Sequence, residues 1–216
     1  MSRKRTAVLI SGRGSNMRSL VAAARVLEFP AEIALVVSNV ADAAGLVFAR
    51  AEGIATKAVD HRAFASREDF DRAVQGVLEA HGIELVCLAG FMRLLSPWFV
   101  EQWRGRMLNI HPALLPSYRG LHTHERALAD GVKIHGATVH FVVPEVDAGP
   151  IVAQAAVAVR GDDTAETLGA RVLEQEHVIY PRALALVASG AARVVDGRVF
   201  LADEPTPGAA LASPGV

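Results

Sequence analysis

Asn109 and His111 stand two residues apart in the run Met107–Pro116, MLNIHPALLP. The apolar stretch Met107–His111 has the character of a strand. Strand side chains alternate faces, so the pair projects from one side. Pro112 follows at once and has no N–H for a ladder, which puts the pair at the carboxyl end of its strand. Open α/β sheets bind their ligands at that end. An amide N–H beside an imidazole that titrates near neutrality suits a carbonyl oxygen gaining negative charge. Taken locally, the same residues also fit a strand-end Asn and His that cap a turn.

Gly12-Arg-Gly-Ser-Asn16 lies between a first strand and a helix. Its two glycines let the backbone approach a ligand, Ser15 adds a hydroxyl, and the helix start supplies free N–H groups, which together describe an anion site. The Gly-Lys-Ser/Thr of an NTPase loop is missing, and Met17 stands where a dinucleotide fingerprint has its third glycine. The second strand ends in Ser38-Asn39 rather than an acid, which weakens NAD further. A single phosphate monoester is the economical ligand, and a glycine turn chosen for tight packing is the plain alternative.

Asp147, in Val-Asp-Ala-Gly-Pro, reads locally as a turn aspartate. If its connection folds back over His111, a carboxylate beside the imidazole would orient it and favour its protonated form. Met92 and Arg93 follow a fourth apolar strand, at another carboxyl end, and could line the same crevice; surface Arg and core Met is the plain alternative. His122, His124, His135 and His140 invite a metal reading, but their spacing matches no closed zinc set and no second cysteine supports one, so no metal is expected. Glu174, Glu176 and His177 fall on a late helix, where a solvated polar face is the default.

These residues need a scaffold of alternating strands and helices. The pattern predicts strands over Thr6–Ser11, Ala31–Ser38, Ile54–Val59, Ile83–Leu88 and Met107–His111, with helices between them, one opened by Ser66 and another by Ser96-Pro97. Such alternation builds a parallel sheet. Two later runs, Gly136–Val143 and Ile151–Val159, share a short connection and should pair antiparallel. A helix from Asp163-Thr164, interrupted at Pro181, precedes a hairpin turning at Asp196-Gly197.

The chain has 216 residues, 51% of them hydrophobic, enough for one large domain. Its formal net charge is -1, with no Lys/Arg cluster beyond the first five residues, which argues against a nucleic-acid partner and for small molecules. The lone Cys87 lies in an apolar run and fits a buried thiol in a reducing cytoplasm. No window approaches a membrane span, and no membrane partner is expected.

Taken together, SGRGSN (11–16), LAGFMRLLS (88–96), LNIHPALLP (108–116), GLHTH (120–124), HGATVHFV (135–142), DAGPI (147–151) and QEHVIYP (175–181) make the chain closely resemble the folate-dependent phosphoribosylglycinamide formyltransferases of purine synthesis. The resemblance covers about residues 6–200. It implies a Rossmann-like three-layer α/β fold, mostly parallel, with an antiparallel C-terminal part. It implies one domain over 1–202, with a phosphate-binding half about 1–105 and a folate and catalytic half about 106–202, and leaves 203–216 as a mobile tail. By position it puts the catalytic trio on Asn109, His111 and Asp147, and the ribonucleotide contacts on Gly14, Ser15, Asn16 and Glu176. The cosubstrate 10-formyltetrahydrofolate falls to Arg67, Met92, Arg93, Leu94, Leu95, Val143, Pro144, Glu145 and Val146. A homodimer is compatible with the sequence. Arg119, where some members carry proline, and Arg13 depart from the pattern. A methionyl-tRNA formyltransferase, a formyltetrahydrofolate hydrolase and a non-catalytic nucleotide-binding module remain the rivals.

Overall fold

The computed structural model describes residues 3–202 and Ser213, so the tail expected over 203–216 otherwise lies outside the described residues. Its strands form a seven-stranded sheet in the order Ala55–Ala58, Ala31–Ser38, Lys4–Ile10, Leu85–Leu88, Met107–His111, Ile134–Phe141, Ile151–Ala158, with Ala192–Val195 and Arg198–Leu201 as a separate two-stranded sheet. The chain divides into two compact units, one reaching to Asn109 and including Phe141–Pro144, the other comprising Ile110–His140 and the residues from Glu145 onward.

In the first unit β1 (Lys4–Ile10), β2 (Ala31–Ser38), β3 (Ala55–Ala58), β4 (Leu85–Leu88) and the start of β5 (Met107–His111) pair in parallel. Strand β4 is buried at every position, as a central parallel strand must be. Helices α1 (Ser15–Ala24), α2 (Ala44–Ala51), α3 (Arg67–Ala80) and α4 (Pro97–Gln102) connect the strands. Their ends follow local chemistry. The Ser66 hydroxyl accepts from Asp69 N–H at 3.1 Å to start α3, and the Ser96 hydroxyl accepts from Phe99 N–H at 3.3 Å to start α4, with Pro97 in its first turn. The core gathers Leu9, Leu35, Phe70, Leu78, Phe99 and Met107.

The second unit holds α5 (Thr123–Ala129), the antiparallel pair β6 (Ile134–Phe141) and β7 (Ile151–Ala158), the long α6 (Ala165–Ala188) and the hairpin β8 (Ala192–Val195)–β9 (Arg198–Leu201). The last residue of β6 belongs to the first unit. Helix α6 opens with a reciprocal box between Thr164 and Thr167 and runs through Pro181 without a break, where the sequence predicts an interruption. Proline costs a helix one hydrogen bond, but Tyr180, Ala183 and Leu184 around it are fully buried, and their packing holds the helix together. The register of β6 against β7 shifts between Val139 and His140. No helix among the described residues is long and apolar enough to cross a membrane.

Candidate active site

Strand β5 carries Asn109 half-buried and His111 buried at its end, and the chain leaves the sheet at Pro112. Within the second unit, His111 Nδ1 lies 3.4 Å from Asp147 Oδ2, and His111 Nε2 lies 2.9 Å from the Tyr118 carbonyl oxygen. Two loops build this contact. Thr123 Oγ1 donates to the Pro112 carbonyl at 2.8 Å, and Arg126 donates to the Arg119 carbonyl at 2.7 Å while stacking over the Tyr118 ring, which draws residues 112–123 back toward the strand end. Asp147 sits at φ 51°, in the left-handed region that aspartate tolerates better than most side chains, and accepts from Gly120 N–H at 2.9 Å.

Both ring nitrogens of His111 face oxygen atoms, so either neutral tautomer sets a lone pair against an acceptor and the protonated ring satisfies both. Burial opposes this and lowers the His111 pKa, while the Tyr118 carbonyl and the Asp147 carboxylate pull it up. The carboxylate acts in the direction the sequence suggests, but removing the ring from water is the larger effect and the net shift is downward. For Asp147, burial acts to raise the pKa. Hydrogen bonds from His140 and Gly120 N–H, with the charges of His111 and His140, outweigh it and hold the carboxyl low.

His140, which the sequence offers only as one of four histidines weighed for a metal, belongs instead beside Asp147. Its side chain is buried, and Nε2 lies 3.7 Å from Asp147 Oδ1, so the carboxylate stands between two imidazoles. Next to this group, His124 Nδ1 and His135 Nε2 are 3.2 Å apart, and burial together with His124 pushes His135 down to about 4. Among the described residues no cluster of three or more His, Cys, Asp or Glu side chains is arranged to hold a metal.

In the first unit, Gly14 caps α1 at φ 71°, with Ser15 and the buried Asn16 opening the helix. Gly45 N–H donates to the Gly12 carbonyl at 3.0 Å, and a Cβ on Gly45 would come within 2.3 Å of Ile10 Cδ1, so a small residue beneath the loop sets its path. Ser11 Oγ donates to Asn39 Oδ1 at 2.6 Å and accepts Met92 N–H at 2.8 Å, joining the start of the glycine loop to the loop after β4. On that second loop Met92 is 70% exposed and Leu94 57%, while Leu95 packs on the core and the Arg93 Nε is buried. The core-Met alternative is therefore excluded. Arg67 is exposed at the start of α3, and Val143 and Pro144 follow β6.

The remaining candidates lie in the second unit. Glu145 pairs with Arg119 at 2.8 Å, and Val146 is exposed. Glu176 corrects the solvated-face reading of the late helix. It is 7% exposed and falls on the stripe formed by Val172, Ile179 and Ala183, while Glu174, off that stripe, faces water.

The formyl transferase family profile matches residues 4–184. The phosphoribosylglycinamide formyltransferase of Escherichia coli (strain K12) is 44% identical over 200 residues, spanning 93% of this chain and 94% of that protein. The trifunctional purine biosynthetic protein adenosine-3 of Gallus gallus is 53% identical over 190 residues, but this chain spans only 19% of its length. Among solved structures, glycinamide ribonucleotide transformylase 1 from Symbiobacterium toebii superposes with a TM-score of 0.90 at 45% identity, covering 92% of this chain and 94% of that one.

Proposed function

Because this chain belongs to the formyl transferase family, and within it to the phosphoribosylglycinamide formyltransferases, we propose that it moves the formyl group of 10-formyltetrahydrofolate onto the glycyl amine of glycinamide ribonucleotide. The products are formylglycinamide ribonucleotide and tetrahydrofolate, and the reaction is a step of purine biosynthesis. The observation that carries the mechanism is the 3.4 Å approach of Asp147 Oδ2 to His111 Nδ1.

The amine attacks the formyl carbon, and a tetrahedral oxyanion forms. With Nδ1 turned to Asp147, Nε2 is the nitrogen left for substrate. It donates to the Tyr118 carbonyl, and the developing oxyanion, a stronger acceptor, takes that place. The negative charge raises the affinity of His111 for its proton at the moment when burial alone would release it. The Asn109 amide donates the second hydrogen bond. As the C–N bond to folate breaks, the folate nitrogen gains a proton and the glycyl nitrogen loses one, with His111 carrying it. Asp147 orients the ring and favours its protonated form.

The ribonucleotide phosphate binds the N–H groups of Gly14, Ser15 and Asn16 at the start of α1, where the helix dipole favours an anion and no acid stands in the first turn. Glu176, carried over by resemblance, contacts the same substrate. The exposed Met92 and Leu94 offer apolar surface to a flat ring, Arg67 and Arg93 offer cations to folate carboxylates, and Leu95 and Val143–Val146 complete that side. On this reading residues 1–202 are a single formyltransferase domain, in the cytoplasm. Its partners are these small molecules, and a homodimer is compatible with this reading. No metal enters the scheme.

The test is absorbance-monitored turnover of formyl folate with and without the ribonucleotide. Folate product that appears only with the acceptor supports the transferase. Release without it points to the hydrolase, and binding without reaction in either mixture points to a silent nucleotide-binding module.

A further inference from the structure

Helix α3 turns Phe70, Asp71, Val74 and Leu78 inward, so an acid occupies a position of its apolar stripe. Asp71 is fully buried. Its Oδ2 accepts Ser96 N–H at 2.6 Å, while Oδ1 is buried without a hydrogen-bond partner. The Ser96 hydroxyl caps α4 by accepting from Phe99 N–H, and the Ser96 side chain also hydrogen-bonds Asp71. A buried charge is costly, and an apolar side chain would serve the packing better. Two cations act on it. Arg67 is one helical turn away on the same helix, and Arg93, whose own Nε is buried without a partner, lies on the loop that Ser96 terminates. Burial raises the affinity of Asp71 for a proton, and Ser96, Arg67 and Arg93 oppose this.

We infer that Asp71 is a positioning residue for formyl-folate binding, tying the end of the Met92–Leu95 loop, and with it Arg93, to α3 through the hydrogen bond from Ser96 N–H. The inference rests on the reading that this loop contacts the folate. Asp71 touches no substrate. It acts through the loop that carries Arg93, so its removal weakens folate binding and leaves the ribonucleotide side alone.

The test compares Asp71→Asn, Asp71→Leu, Arg93→Ala and the double variant Asp71→Asn/Arg93→Ala by KM for each substrate and by kcat. Asp71→Asn keeps an oxygen for Ser96 N–H and removes the charge. Its folate KM is expected to rise roughly tenfold, the size of one charge-assisted contact, with the ribonucleotide KM and kcat within about twofold. Arg93→Ala raises the folate KM as well, and the double variant raises it no further than the larger single change, because coupled residues are non-additive. Asp71→Leu fills the same space but leaves the Ser96 N–H without an acceptor, so it lowers the melting temperature as well as raising the folate KM. Asp71→Asn is the variant that removes the charge and keeps the acceptor, and Arg93→Ala tests the loop independently. A wild-type folate KM in either folded Asp71 variant, with Arg93→Ala impaired, overturns the positioning role, and so does a fully additive double variant. A wild-type folate KM in Arg93→Ala overturns the folate reading of the loop, and the role of Asp71 with it.

Discussion

The Asp147 carboxylate approaches His111 Nδ1 at 3.4 Å, on the side of the ring opposite the nitrogen that meets the Tyr118 carbonyl at 2.9 Å. His111 is therefore held by two acceptors inside a buried site that disfavours its charge, and the Tyr118 carbonyl and the Asp147 carboxylate both work to keep its proton.

Replacing Asp147 with Asn removes one of the two influences that raise the His111 pKa and leaves burial, which lowers it, in place. The pKa then falls further below its ordinary value. At any fixed pH near neutrality a smaller fraction of His111 carries the proton, and the limb of kcat against pH that requires it moves to lower pH. We expect a loss of about 10²-fold or more at neutral pH, the range of general acid–base contributions. An unchanged pH profile separates Asp147 from His111.

Gly14→Ala places a side chain at φ 71° and brings its Cβ within 2.8 Å of Met17 Cε. The left-handed conformation costs a non-glycine residue roughly 1–2 kcal/mol, and the contact adds to it. The loop should shift, raising the ribonucleotide KM about tenfold while the formyl-folate KM stays near wild type. Equal increases in both constants would argue against a phosphate role for the loop.

His135 is 1% exposed and pushed from the ordinary 6.5 down to about 4 by burial and by His124. A base whose folded pKa is depressed gives stability that is fully present above about 6.5 and is lost as pH falls toward 4. A shift of this size corresponds to an effect on the order of 3 kcal/mol. His135→Asn should flatten the dependence of the urea midpoint on pH across that window. A midpoint that falls as steeply in the variant assigns the acid sensitivity to other groups.

The parallel half of the fold was legible because its signals are local. Ser66 and Ser96-Pro97 start the helices that their capping chemistry predicts, and Met107–His111 forms the strand read from its sequence. Alternation likewise put Asn109 and His111 on one side of that strand. The contact of Asp147 with His111 was conditional, because it depends on a fold-back that no local pattern encodes. His140 stayed hidden among four scattered histidines, and the register shift after Val139 breaks the alternation that would have shown which way it points. Glu176 looked solvated beside Glu174 and His177, and only the burial of its helix stripe separates it from them. Pro181 misled because helix-breaking is a local tendency, and the packing around Tyr180 and Leu184 overrides it.

The most direct test of the central claim is the single-turnover rate of formyl transfer from 10-formyltetrahydrofolate to glycinamide ribonucleotide. It should be measured with saturating enzyme for wild type, Asn109→Ala, His111→Ala and Asp147→Asn, with both substrate dissociation constants determined separately. The prediction is transfer in wild type only when the ribonucleotide is present, and rates about 10²- to 10³-fold lower in each variant with dissociation constants within about threefold of wild type. A variant that transfers at the wild-type rate, or wild-type enzyme that releases formate without the ribonucleotide, would contradict it.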